Sequence, residues 1–346
     1  MNRTMNRTMN RTMKRTMKRR FYQSSIVLLF AMTIASCGVR YAPVSRTGIE
    51  LGTYVKITLI VRRDKRQKAL RALEESFLLI RKLDATFDYR TEGGALADFN
   101  DGTRLLKRDN DTLFSLLSDA MSIAAKTGGF FDPTVLPLVQ EWGFDTDSPH
   151  LPSPEDVHRA LEQLGYKKVR VFDTYAEKPV EVKLDLGGIA KGRIVDLVRY
   201  ELGDLGYVDF LIDAGGDIYV SGKNARRKKW RIAIQDPVYE SEYRGIVEKS
   251  DTAIVTSGDY ERFFTVDGVR YSHLFNPMTG YPESDFKSVT ILHPDTSYAD
   301  AIATAVFVMG SVKGYDFLKE HGIEGYLIFT GSDGSIQTKS TPRFWD

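Results

Sequence analysis

Leu184-Asp185-Leu186-Gly187-Gly188-Ile189-Ala190-Lys191-Gly192 is the stretch on which the reading of this chain turns. Leu184 and Leu186 flank Asp185 as the end of a strand would, and Ile194, Val195, Leu197 and Val198 continue as one face of a helix. Glycines at such a junction let the backbone approach a bulky ligand, and a helix N-terminus favours negative charge there. The glycine spacing matches neither the Walker loop nor the dinucleotide fingerprint. The junction therefore predicts a phosphate-bearing ligand held by an unusual loop, with one carboxylate and one lysine close by.

Around this junction, strands and helices mix without strict alternation. Residues 54–61 alternate as a strand, and Ala69, Leu70, Leu73, Phe77, Ile80 and Leu83 mark the inner face of a helix. A second helix is expected over 112–126, stopped by Gly128-Gly129, and a third over 155–164 after a Pro- and Asp-rich loop. Strands are expected at 168–172, 179–184, 208–220, 230–235, 253–256, 263–266, 288–292 and 325–330, with an apolar helix over 299–309. This pattern predicts an α+β fold of mixed sheets with packed helices rather than a doubly wound parallel sheet. No repeat of solenoid length is present.

Residues 1–20 are five tetrapeptides: Met-Asn-Arg-Thr three times, Met-Lys-Arg-Thr, then Met-Lys-Arg-Arg. The apolar run 26–34 that follows is too short to span a bilayer as a mature helix. Basic region, apolar region and small residues make residues 1–36 a secretory signal. Ile34-Ala35-Ser36-Cys37 resembles a bacterial lipobox, so Cys37, the single cysteine, is expected to carry the lipid, and the chain to be exported and membrane-anchored facing the periplasm. Gly38 leans toward the outer membrane, and Met17 is an alternative start. Residues 37–48 are read as a tether and 49–346 as a single domain.

Removing the leader's eight positive charges takes the formal charge from +2 to −6, so no electrostatic footprint for nucleic acid remains. The run Arg226-Arg227-Lys228-Lys229 reads as a solvated loop. With one cysteine there is no disulfide, and about 310 residues must cohere through their core.

Four further clusters carry chemistry. In Gly128-Gly129-Phe130-Phe131-Asp132-Pro133-Thr134-Val135 a helix stop leads to aromatics and an aspartate that also suits a turn. Leu211-Ile212-Asp213-Ala214-Gly215-Gly216-Asp217-Ile218 is a strand with two carboxylates about a glycine pair, read equally as a bulge or a ligand site. Ser257-Gly258-Asp259-Tyr260-Glu261-Arg262 precedes Tyr271-Ser272-His273-Leu274-Phe275-Asn276-Pro277, where His273 alone among five histidines stands between a strand and a Pro/Gly turn. In Ala299-Asp300-Ala301-Ile302-Ala303-Thr304, an acid and an alcohol share one helical face. They are hard oxygen donors suited to Mg²⁺, or else Asp300 is the helix N-cap and Thr304 bonds back to its carbonyl.

Together these blocks, in order from Leu51-Gly52-Thr53 through Phe87–Asn100 to the 299–310 helix, resemble the ApbE family of FAD:protein FMN transferases. The resemblance spans nearly the whole mature chain. It implies Mg²⁺-dependent transfer of FMN from FAD to a threonine hydroxyl of a partner, typically a membrane subunit of a redox-driven ion pump, with release of AMP. It implies metal ligation by Asp300, Thr304 and the Gly188 carbonyl, and contact with the flavin nucleotide by Leu51, Tyr89, Phe130, Phe131, Asp132, Asp185, Lys191 and Phe275. It assigns His273 to activation of the acceptor hydroxyl.

The chain departs from that pattern where Leu51 replaces methionine, Phe130 a small residue and Asn276 an aspartate. Phe87–Leu96 also lacks a usual serine-glutamate pair, which bears on Tyr89. Phe130 is expected to narrow the pocket and Asn276 to loosen the His273 ring. The rival expectations are a Mg²⁺-dependent FAD pyrophosphatase and a non-enzymatic flavin-binding lipoprotein.

Overall fold

The computed structural model describes residues 41–346 apart from Glu240 and Glu261; the expected leader and the lipidation site Cys37 lie outside the described residues. Its centre is one antiparallel sheet of eight strands lying in chain order. These are β1 (Tyr41–Glu50), β2 (Thr53–Arg62), β3 (Phe210–Ala214), β4 (Asp217–Ser221), β5 (Thr252–Gly258), β6 (Phe286–His293), β7 (Glu324–Thr330) and β8 (Ile336–Ser340). Long excursions between these strands carry the rest of the chain.

The excursion from β2 to β3 holds α1 (Arg66–Phe87), α2 (Ala95–Asp101), α3 (Asp111–Lys126), α4 (Leu136–Glu141), α5 (Pro154–Gln163) and α6 (Gly187–Asp204). It also holds a small sheet of Arg104–Leu106, Arg170–Val171 and Tyr175–Glu177. Hairpins Trp230–Gln235/Tyr243–Lys249 and Phe263–Val266/Val269–Ser272 interrupt β4–β5 and β5–β6. Helices α7 (Thr296–Met309) and α8 (Ser311–Glu320) join β6 to β7.

The sheet is covered on both faces. Val55, Ile57, Leu59 and Val61 of β2 point into a core shared with α1, α6 and α7, while Ile60 points to the opposite side with Trp230, Ile232 and Val247 of the first hairpin. In α1, Leu73, Phe77, Ile80 and Leu83 are buried on one face, each contributing about 1.5–3 kcal/mol. A third cluster joins Trp142 and Phe144 to Phe275, with Phe264 and Tyr271 of the second hairpin packed against it. Helix α7 is buried on almost every side, as a helix enclosed by protein is. It crosses α6 closely at Gly192, where a Cβ would stand 2.5 Å from the Thr296 carbonyl.

Three expectations are corrected. Residues 41–48, expected as a tether, belong to β1, which pairs with β2 along its whole length from Tyr41↔Arg62 to Glu50↔Thr53. Only Val44 of that strand is fully buried, so its apolar signal is too thin to read. Residues 179–184 form no strand, and Leu184 and Leu186 are buried in an irregular segment. The Asn100 side chain takes the place of a neighbouring strand there: Nδ2 donates to the Leu184 carbonyl (2.9 Å) and Oδ1 accepts from its N–H (2.8 Å). The glycine pair at 215–216 is the turn of the β3–β4 hairpin rather than a bulge, with φ +64° and +98°.

Candidate active site

One cavity of about 510 Å³ opens beside the N-terminus of α6, and all twelve proposed ligand, metal and catalytic positions within the described residues line it. Five parts of the chain build it: the β1–β2 turn, the end of α1 and the 130–144 segment, the start of α6 with the facing turn of α7, the β3–β4 turn at Gly215, and the 257–277 segment.

The floor is the 184–192 junction. Asp185 is fixed from both sides: its N–H donates to the Pro133 carbonyl (2.8 Å), and its Oδ1 accepts from Gly187 N–H (2.7 Å). Burial holds its carboxyl above the usual range, although the Gly187 bond and the positive charges of Arg262 and Arg90 oppose this. From the same turn Lys191 reaches the first residue of β4, Asp217, at 3.1 Å. Asp217 is buried, and this raises its pKa against the pull of Lys191 and of a hydrogen bond to Asp300.

Asp300 lies one turn inside α7, 3 % exposed, with Oδ2 accepting from Gly192 N–H (3.0 Å). It is not the N-cap, because Asp295 holds that place through Tyr298 N–H (2.7 Å). Thr304 follows on the same face, and a Cβ at Gly188 would stand 3.2 Å from its Oγ1, which places the Gly188 backbone beside that hydroxyl. Among the described residues no three of His, Cys, Asp and Glu gather as a metal site. The polar groups here are instead the Asp300 carboxylate and the Thr304 hydroxyl beside the Gly188 backbone. Two carboxyls share a bond, and Asp217 Oδ1 is buried without an N–H or O–H donor. A hard divalent cation completing its shell with ligand oxygens fits this set.

The opposite wall is aromatic. Phe131 is buried, while Phe130 is half-buried under Lys313, whose ammonium lies 4.5 Å from the ring centre. Tyr89 is half-buried with its phenol pKa raised by burial and by Asp185. Both Asp132 oxygens are taken: Oδ1 by the Thr134 N–H (2.9 Å) and hydroxyl (2.6 Å) of its own loop, Oδ2 by the Tyr166 N–H (3.0 Å) beyond α5. Asp132 thus shapes the wall through an Asx turn.

His273 follows the second hairpin. Its Nδ1 lies 3.2 Å from the Arg262 carbonyl, which only accepts, so Nδ1 carries the proton and Nε2 keeps its lone pair. The ring is half-buried by accessible area yet deep within the cavity; desolvation, helped by Arg262 and Lys191, pushes its pKa down to about 4. Asn276 caps its own turn through Met278 N–H (2.9 Å), and the His273 ring takes its orientation from Arg262.

Sequence reasoning assigned no role to Arg262 or Phe144, and left Asp217 between a bulge and a ligand site. The Arg262 guanidinium bonds the Phe144 carbonyl and joins the hairpin to the 142–144 loop, a pairing with no signal in linear spacing. Asp217 is recognisable only once the glycine pair is known to be a turn.

The ApbE family model matches residues 51–327. The chain belongs to the ApbE family. It is 31 % identical to a FAD:protein FMN transferase of Treponema pallidum over 89 % of this chain and 91 % of that one. It is 28 % identical to one from Haemophilus influenzae, over 92 % and 95 %. The crystal structure of the ApbE protein from Thermotoga maritima superposes with a TM-score of 0.79 at 31 % identity, covering 88 % of this chain and 99 % of that one. The flavin transferase ApbE from Vibrio cholerae gives 0.79 at 30 %, covering 88 % and 98 %. The fold is the α+β fold of the ApbE proteins, and family membership makes the chain an enzyme of the transferase class.

Proposed function

We propose that this ApbE-family enzyme transfers the FMN half of FAD to a threonine hydroxyl of a partner protein and releases AMP. The observation that carries this reading is the joining, in one cavity, of an anion-ready helix start, a carboxylate–hydroxyl pair beside the Gly188 backbone and a neutral imidazole. The diphosphate of FAD would lie at the N-terminus of α6, where Lys191 and the helix dipole meet its charge. Tyr89, Phe130, Phe131 and Phe275 offer apolar rings to the flavin.

Asp300, Thr304 and Gly188 would hold Mg²⁺, which when bound supplies neutralisation of the phosphate oxygens. The acceptor threonine Oγ attacks the FMN phosphorus, and its proton passes to His273 Nε2. The anhydride bond breaks and AMP departs with the bridging oxygen. Two features suit His273 to this step: its Nδ1–H is fixed on Arg262, and it is unprotonated at neutral pH.

The reading extends to where the enzyme works. A basic leader and a lipobox before Cys37 support export and a lipid anchor facing the periplasm, within reach of a membrane redox-pump subunit. The test is mass spectrometry of a candidate acceptor incubated with enzyme, FAD and Mg²⁺. A threonine gaining FMN, with equimolar AMP, is the expected result. AMP and free FMN without acceptor labelling would make the enzyme a pyrophosphatase, and FAD retained without AMP would make it a flavin carrier.

A further inference from the structure

The basic run that the sequence presents as a solvated loop has a defined place. Residues 223–229 leave β4 and fold about Asn224, whose Oδ1 accepts from Arg226 N–H (2.9 Å) and Lys228 N–H (3.3 Å) while Nδ2 donates to the Lys229 carbonyl (2.7 Å). Arg227 stands in the left-handed region at φ +60° and pairs with buried Asp209, which pins the loop to the sheet. Lys223, Arg226, Lys228 and Lys229 remain exposed around that brace. The nearby acids Asp209 and Asp251 are turned to the loop backbone, Asp209 accepting from Lys223 N–H (2.6 Å) and Asp251 from Gly222 N–H (2.9 Å).

Two further observations fix what this surface faces. Arg227 lies over the ring of Tyr41, 4.8 Å from its centre, at the start of β1 and four residues after Cys37. Four residues span at most about 14 Å, so a lipid on Cys37 enters its bilayer beside this loop. Exposed Tyr200 and Val208 line the open depression that also holds Lys223 and Arg227. Basic side chains with a tyrosine and apolar groups beside them are the composition of a surface that rests on anionic headgroups.

We propose that the Lys223–Lys229 loop, with Tyr41, Tyr200 and Val208, is a membrane-resting face that binds anionic phospholipid. It rests on the lipoprotein reading of Cys37 for its place, and not on the chemistry of the cavity. The fold then sets a distance. Strand β1 runs from this face to the cavity wall at Leu51, and α6 runs back from the cavity to Tyr200; ten strand residues and the helical residues 187–200 measure about 34 Å and about 21 Å. The cavity is held about 20–35 Å from the headgroups, and an acceptor threonine must reach that height.

The test uses the unlipidated chain from Gly38 onward, which contains every strand and helix described above, without FAD. Cosedimentation with phosphatidylcholine vesicles containing phosphatidylglycerol, against phosphatidylcholine alone, reads the binding. Preferential binding to the anionic vesicles at low salt is expected, with release at about 1 M salt, where the screening length is about 3 Å. The triple variant R226Q/K228Q/K229Q should bind about 100-fold more weakly, at about fivefold per lost charge, and R226E/K228E/K229E more weakly still. R226K/K228R/K229R should bind as the parent does. Should the reversed chain fail to fold, R226Q/K228Q/K229Q still reads the loss of the three positive charges. Equal binding by the parent and the reversed or neutralised chain, or no preference for anionic vesicles, overturns the proposal. So does unchanged vesicle binding accompanied by impaired transfer to an acceptor in vesicle-free solution, which would assign the loop to the acceptor.

Discussion

Asp196 and Asp300 face each other's helices across the seam between α6 and α7, both buried, and they keep opposite company. Asp196 on α6 accepts from Thr296 N–H (3.1 Å) and Ser297 N–H (2.8 Å) at the start of α7 and pairs with Arg199 at 2.8 Å. Burial and the neighbouring Asp295 still push its pKa up to about 6, against these partners. Asp300 on α7 bonds Gly192 N–H on α6 and meets a second acid, Asp217, which pairs with Lys191. A buried acid surrounded by N–H groups and a guanidinium has a structural explanation that is complete. Two hydrogen-bonded acids buried at a cavity wall are better satisfied when positive charge arrives with a ligand. The same seam thus holds one charge that fastens the helices and one that stands ready for a ligand.

The sharpest way to break this contrast is Asp300→Asn, which keeps an acceptor for Gly192 N–H and removes the charge. Turnover followed as AMP release should fall at least about 100-fold, since metal-borne charge stabilisation is worth several kcal/mol. The thermal midpoint should hold or rise, because one of two adjacent acids has been neutralised. Normal turnover would remove Asp300 from the chemistry.

His273→Ala comes next, with a loss of about 10²–10⁴-fold in transfer and FAD binding retained, read by flavin fluorescence. The wild-type rate should decline on the acid side as pH falls through about 4, where the imidazole protonates, and this limb should vanish in the variant. Stability follows the same sign. The histidine of the unfolded chain protonates near 6.5 and the folded one only near 4, so the wild type loses stability as pH falls through that window. The variant should lose less over the same interval in chemical denaturation.

Asp196→Asn should do the reverse of Asp300→Asn. It leaves Arg199 half-buried without its carboxylate and costs α7 a charged cap, a loss of about 2–4 kcal/mol in urea unfolding. Turnover measured well below the midpoint should change little. Equal losses of activity in the two variants would mean that the seam acts as one unit.

The difference between these acids was only half legible in the sequence. Asp300 and Thr304 could be paired from helical spacing alone, but N-cap and metal ligand remained equal readings until Asp295 took the cap. Asp196 drew no notice, because the N–H groups it caps lie 100 residues away or more on another helix. The local elements were clearer: alternation gave β2 and the hairpin strands at Trp230–Gln235 and Phe263–Val266, and apolar spacing gave α1 and α3. Where a side chain replaced backbone pairing, as Asn100 does for Leu184, the pattern of buried residues imitated a strand. Where a strand lay at the edge with one buried residue, as β1 does, no pattern survived.

The smallest expected effect tests whether the readiness of the cavity extends to the backbone. Leu51 holds φ +56° in the β1–β2 turn, with Gly52 at +69°, a two-residue turn that favours Asn-Gly or Asp-Gly. A leucine there costs about 1–2 kcal/mol in left-handed strain, and its side chain lines the cavity. Leu51→Asn should therefore raise stability by up to about 1 kcal/mol while weakening FAD binding, since the apolar contact is lost as the strain is relieved. A variant that is more stable and binds FAD unchanged would show that the leucine is merely tolerated. A variant that gains stability and loses affinity would place the turn with Asp217 and Asp300, as local disfavour held in place by the fold because a ligand resolves it.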